Sequence, residues 1–266
     1  MKRLSGSGRG LQSHVAVPRR GSMLRMKTGL AAGLSLMIAA ACGHADARRP
    51  VTALPGVGQG ERHAIDVGHT PWRMLGRVQT ELGARCTGFM VAPSVIMTAA
   101  HCLWREEVAG FVQPSSVHFM LGYDTGSWRG TARAVRFIIA PAYDPFHPLR
   151  TSQADHATVI LDHPLITSAD LVPIVAASPG LPAMLAGYQQ DRKELAIGDS
   201  NCHVVQVRGQ LIDHDCAATK GASGAPLLVL KNGSWGIAGI DVLAHDGQGG
   251  TAVGFATEQS SDKTVR

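Results

Sequence analysis

The chain has 266 residues, 45% hydrophobic and 17% charged, the balance of a globular protein with room for one large domain or two small ones. Its formal charge of +5 is concentrated at one end: residues 1–47 carry seven Lys/Arg against the single acid Asp46, leaving 18 basic and 19 acidic residues over 48–266, a net of −1. That distribution excludes a basic nucleic-acid-binding face, and 31 glycines with 5% aromatic residues favour turns and short strands over long helices.

In chain order, the first element is a leader. Arg25 and Lys27 precede the apolar run 30–42 (LAAGLSLMIAAAC), and Ala45-Asp46-Ala47 supplies a small-x-small site. Charged, apolar and small-residue regions in that order describe a secretory signal peptide over 1–47, with an apolar core too short to span a bilayer. The expectation is therefore export, to a periplasm or out of the cell, with no stable membrane insertion once the leader is cut. Residues 48–68 (RRPVTALPGVGQGERHAIDVG) are polar and rich in Gly and Pro, and read as a flexible or pro-like segment.

From residue 69 short apolar runs recur between turn residues: 86–92, 94–100, 116–123, 131–140, 156–161, 183–188, 202–212, 225–230, 234–243 and 251–256. Many alternate apolar with polar residues and are β-branched, and helical periodicity is scarce. An all-β barrel or sandwich fits this pattern better than an α/β fold.

Export changes how cysteine is read. Cys42 leaves with the leader, and Cys86, Cys102, Cys202 and Cys216 remain, an even number in an oxidising compartment. Four cysteines allow three pairings, of which the spacing favours two local loops, Cys86–Cys102 and Cys202–Cys216. Zinc ligation lacks its short paired spacing here.

Three strings carry chemistry. VIMTAAHC (95–102) is a strand that ends on His101, beside Cys102. QADHATVIL (153–161) places Asp155 at a strand entrance, where a carboxylate can accept a histidine Nδ1 proton and fix the tautomer. TKGASGAPL (219–227) sets Ser223 between glycines in a tight turn, where the Gly221 and Ser223 N–H groups can converge on an oxyanion.

TAAHC, DHATVIL and GASGAP, in the order His, Asp, Ser, resemble the trypsin-like serine peptidases of the chymotrypsin fold, over most of the chain after the leader. CTGFMVAPSVIMTAAHCL (86–103) is especially close, and AGYQQD (186–191) with DCAATKGASGAPLL (215–228) resembles the bacterial branch typified by staphylococcal glutamyl endopeptidase. The resemblance implies two six-stranded antiparallel β-barrels with the site in the cleft between them, one over about 69–165 and the other over about 180–258. It implies Ser223 as nucleophile, His101 as general base, Asp155 as its orienting partner, an oxyanion hole from Gly221 and Ser223, and a Cys86–Cys102 staple under the histidine loop.

The departures concern activation and specificity. Ala222 stands where animal relatives carry the aspartate that receives a new N-terminus, and Ala225 replaces a glycine after the serine. Ala217 puts no carboxylate at the base of the first specificity pocket, which argues against Lys/Arg preference. Ala238 and Ala218 occupy the places of a histidine and a threonine that bind glutamate in relatives, leaving Thr219 and Lys220 to meet an acidic side chain at the rim. A pocket for small or aliphatic side chains, or acidic ones, is expected. His147, His156 and His163 read as surface residues, and Trp72, Trp104, Trp128 and Trp235 as packing residues.

The sequence thus describes an exported serine endopeptidase acting on protein or peptide substrates as a monomer, with no cofactor, no metal and no nucleic-acid partner. The rival reading is a catalytically inactive trypsin-like binding module. An α/β-hydrolase esterase would need the chain order Ser, Asp, His.

Overall fold

A computed structural model describes residues 61–245, 247 and 249–255. The leader 1–47 and residues 48–60 lie outside the described residues. In chain order the first half holds the two-residue β1 (His63–Ala64), then β2 (Leu75–Thr80), β3 (Arg85–Ala92) and β4 (Val95–Thr98). It continues with a small hairpin of β5 (Trp104–Arg105) and β6 (Gly110–Phe111), then β7 (Val117–Leu121), β8 (Gly130–Ile139) and β9 (Ala157–Leu161). The second half holds β10 (Pro182–Gly187), β11 (Ile197–Arg208), β12 (Leu211–His214), β13 (Pro226–Lys231), β14 (Ser234–Ala244) and β15 (Gly250–Gly254). Among the described residues the helices are 3₁₀ turns of three or four residues, and none is long and apolar enough to cross a membrane.

The strands form two barrels. The first closes in the order β2-β3-β4-β9-β8-β7, and the second in the order β11-β10-β13-β14-β15-β12, with β12 returning to β11. All neighbouring strands are antiparallel. The fold is two six-stranded antiparallel barrels, and closure follows from alternation. In β7 (VHFML) and β9 (ATVIL) every second side chain is buried, so one face of each strand fills the barrel. Phe89, Ile96, Phe119 and Leu75 fill the first barrel, and Leu185, Leu227, Val204 and Ile212 the second. Each such side chain contributes about 1.5–3 kcal/mol on burial.

Two details differ from the pattern of apolar runs. The run 202–212 is not one strand, because Gly209 adopts φ +62° and turns β11 into β12. Residues 75–80 form β2 although Arg77 lies at their middle. That guanidinium is buried, 3.5 Å over the Tyr123 ring and 3.6 Å from Glu194.

The described part of the segment 48–68 is docked on the second barrel. His63 pairs with Gly198 and Ala64 with Ile197, the Ile65 N–H donates to Ala196 O at 3.0 Å, and Val67 is buried in the core.

Candidate active site

His101 lies on a 3₁₀ turn, Ala100–Leu103, directly after β4. Its neighbour Cys102 is bonded to Cys86 on β3, with Cα atoms 6.1 Å apart, so the turn is stapled to the barrel wall. Asp155 ends another 3₁₀ turn, Ser152–Ala154, just before β9. Because β4 and β9 are paired, the turn after one strand and the turn before the other share an end of the barrel.

The two side chains meet there. Asp155 Oδ2 is 2.7 Å from His101 Nδ1, and Asp155 Oδ1 accepts the His101 backbone N–H at 2.9 Å. A single carboxylate thus grips both ring and main chain of the histidine. With the Nδ1 proton facing Asp155, Nε2 is the nitrogen left to accept a proton. The Asp155 side chain is 3% exposed and that of His101 is 34%, so the carboxylate is enclosed while the ring faces solvent. Beside them Tyr143 is buried, and its phenol is pushed up from the ordinary value by burial first and then by the charges of Asp155 and Asp144. A cleft of about 300 Å³ opens at His101, lined by Trp104, Arg105, Glu107, Tyr143 and Pro145 among others.

Ser223 sits in the turn before β13, and its backbone is tied across the barrel boundary. Ser223 O accepts the Thr87 N–H at 2.9 Å and lies 3.8 Å from Cys102 Sγ, against the staple that carries His101. Gly224 donates to Asp241 O at 2.7 Å, and Asp241 N donates to Ala225 O at 2.8 Å. Gly224 has φ +85°, and a Cβ there would stand 2.1 Å from Thr87 O. Only glycine allows the second barrel to approach the first this closely.

Thr87 makes the junction specific. Its hydroxyl donates to Gly221 O at 2.8 Å and accepts the Tyr188 N–H at 2.9 Å, while its carbonyl accepts from Thr98 Oγ1 at 2.7 Å. One peptide back, Lys220 O accepts the Gln190 N–H at 2.8 Å. The C=O and N–H of a trans peptide point in opposite directions, so this bond turns the Gly221 N–H away from residues 189–192. Among the described residues, neither the Gly221 nor the Ser223 N–H donates to another group, and no hydrogen bond joins Ser223 Oγ to His101. Contacts of that second kind commonly tighten when substrate is bound.

The remaining candidates lie around this turn. Ala217 and Thr219 are buried; Ala217 N donates to Asp199 Oδ2 at 3.0 Å, and Thr219 N to Gln189 Oε1 at 2.9 Å. Lys220 is exposed. Ala238 packs in the second barrel's core with Ala218 and Ala222, and the β14 residue bonded to the serine turn is Asp241. Asp241 also holds the buried His214, Nε2 to Oδ1 at 3.1 Å, a pair that local sequence does not announce. Cys202 is bonded to Cys216, with Cα atoms 4.8 Å apart. Among the described residues, the two groups spaced to hold a metal are built on the sulfurs of these disulfides, which have no thiolate to offer. His147 pairs with Asp144 at 2.8 Å and His163 with Asp162 at 2.7 Å, both exposed, whereas His156 is half-buried.

Comparison with known proteins agrees with this architecture. A solved structure of a Glu endopeptidase in complex with MPD superposes with a TM-score of 0.63 at 19% identity, covering 76% of this chain and 94% of that one. At that identity the match speaks for the fold. The Trypsin family model matches residues 60–263, through both barrels and all three strings that carry His101, Asp155 and Ser223. The chain belongs to the trypsin family and is a serine-type endopeptidase.

Proposed function

We propose that His101, Asp155 and Ser223 form the catalytic triad of an exported endopeptidase working through an acyl-enzyme. The observation that carries this reading is the double grip of Asp155 on His101, beside a serine turn lashed to the same barrel through Thr87. Ser223 Oγ attacks the scissile carbonyl as His101 Nε2 takes its proton. Asp155 stabilises the imidazolium, and the Gly221 and Ser223 N–H groups hold the oxyanion. Collapse expels the amine, protonated by His101. Water, deprotonated by the same ring, then releases the acyl group.

The first specificity pocket takes small or aliphatic side chains, or acidic ones. Support comes from Ala217, which brings no charge, and from Asp199, whose carboxylate is occupied by the Ala217 and Asn201 N–H groups. An acidic side chain would meet the exposed Lys220 at the rim, whereas Thr219 is buried. Export rests on the leader 1–47.

The test is cleavage of a diverse peptide mixture by the purified protein beside Ser223→Ala, with products identified by mass spectrometry. Cleavage that vanishes in the variant supports the triad, and the residue before each cut reports the pocket. Cleavage surviving in Ser223→Ala overturns the assignment. Folded wild-type protein that cleaves nothing and resists an organophosphonate is a binding module.

A further inference from the structure

The described N-terminal segment reaches the serine turn through one side chain. Arg62 forms a two-pronged pair with Asp191, at 3.2 Å and 2.7 Å, and its Nη1 also donates to Gln189 Oε1 at 2.7 Å. The Arg62 and Asp191 side chains are 15% and 18% exposed, a partly buried fork-to-fork pair instead of a solvated surface contact. Gln189 is fully buried, and all its side-chain contacts are structural: Oε1 takes both Arg62 and the Thr219 N–H, and Nε2 donates to Ile197 O at 3.1 Å.

Residues 189–191 are therefore held on one side by Arg62 and hold the serine turn on the other. Gln189 fixes Thr219, and the Gln190 N–H fixes Lys220 O and with it the plane of the Lys220–Gly221 peptide. That peptide carries the Gly221 N–H. Gly221 itself has φ +96°, and a Cβ there would stand 2.4 Å from Tyr188 O, so it packs directly on this turn. The segment's other ties are a two-residue ladder, the Ile65 N–H bond, the Gly68 O that accepts from Arg73 Nη1 at 2.9 Å, and the buried Val67.

We propose that Arg62 is a positioning residue for the oxyanion site: it clamps the 189–191 turn, which in turn sets the direction of the Gly221 N–H. The inference rests on the reading of Ser223 as nucleophile. The segment before the first barrel thus serves the second barrel's chemistry, in a chain whose Ala222 has no carboxylate for a new N-terminus. Substrate does not touch Arg62; the effect passes through Gln189 and Gln190.

The experiment compares wild type with Arg62→Ala, Arg62→Lys and Asp191→Asn in the full chain, reading phosphonylation of Ser223 by an organophosphonate, kcat, KM and the thermal midpoint. Loss of a whole oxyanion donor costs about 10²–10³ in kcat, so displacement of one should slow Arg62→Ala about 10–100-fold. KM should change less than about threefold, because an oxyanion contact acts in the transition state and not on bound substrate. Arg62→Lys should recover part of the rate, and Arg62→Ala combined with Asp191→Asn should be no slower than Arg62→Ala alone. A staple with no part in the chemistry would lower the thermal midpoint and leave the phosphonylation rate of folded protein unchanged; that result overturns the inference and spares the triad. Wild-type protein that is never phosphonylated overturns the triad reading itself, and the inference with it. Asp191→Asn keeps the shape of the side chain and carries the same test if Arg62→Ala does not fold.

Discussion

The Thr87 hydroxyl joins the two barrels at Gly221: it donates to Gly221 O at 2.8 Å while accepting the Tyr188 N–H at 2.9 Å. Both partners belong to the second barrel's side of the boundary, and Thr87 is fully buried on β3. Replacing the hydroxyl by a methyl in Thr87→Val leaves a half-buried carbonyl and a buried N–H without their partner and presses carbon against both. Each such group costs about 1–3 kcal/mol. Urea unfolding should show a loss of about 2–4 kcal/mol, and Thr87→Ser should recover most of it. A Thr87→Val protein as stable as wild type would remove the hydroxyl from the account.

Asp155→Asn keeps the size of the side chain and removes one acceptor. Its amide cannot accept from both the His101 main chain and Nδ1, so either the ring turns or the tautomer changes, placing the proton on Nε2. The expected fall in kcat is on the order of 10⁴, with little change in the thermal midpoint. Steady-state kinetics beside calorimetry separates the two effects, and a fall below tenfold would rule Asp155 out as the orienting group.

Two glycines with similar backbone angles should respond differently to alanine. Gly224 (φ +85°) would drive a Cβ to 2.1 Å from Thr87 O and 2.3 Å from Thr98 Oγ1, whereas Gly233 (φ +77°) has nothing within 4 Å. Gly233→Ala suffers the left-handed backbone strain alone, about 1–2 kcal/mol. Gly224→Ala must also move the barrels apart and should lose more than about 4 kcal/mol and its activity. Equal unfolding midpoints for the two variants would contradict the close approach.

His156 gives a pH dependence of stability. Burial holds its imidazole below the ordinary value, with the Asp155 charge acting the other way. The unfolded chain takes up this proton near pH 6.5, while the folded chain resists until lower pH. Stability from this group is therefore whole above about pH 6.5 and is lost as pH falls from there toward the depressed folded value. In His156→Gln the drop in urea midpoint between about pH 7.5 and pH 5.5 should be smaller than in wild type. An unchanged drop would assign it to other groups.

Much of this was open to reading because it is local. His101, Asp155 and Ser223 each stand in a short string whose strand or turn chemistry is visible without the rest of the chain, and most apolar runs became strands within a residue or two. What stayed hidden depends on distant partners. β2 was obscured by Arg77, whose burial is permitted by Tyr123 and Glu194, far along the chain. Thr87 and Arg62 look like ordinary polar residues until Gly221, Gln189 and Asp191 are brought beside them, 134, 127 and 129 positions away. Asp241 gave no sign because its carboxylate is paired with His214 from another strand.

The barrel boundary also sets an order of events. All strands of the first barrel end by Leu161, so His101 and Asp155 can be housed in a finished barrel before Ser223 has been made. The bonds that shape the serine turn run to Thr87 in that earlier barrel, to Gln189 and Gln190 in the second half, and to Asp241, which comes later still. Domains generally fold as units from the N-terminal end. With Ser223 as the proposed nucleophile, peptide-bond hydrolysis becomes the last property the chain acquires, withheld from the half-made protein until its second barrel closes and docks.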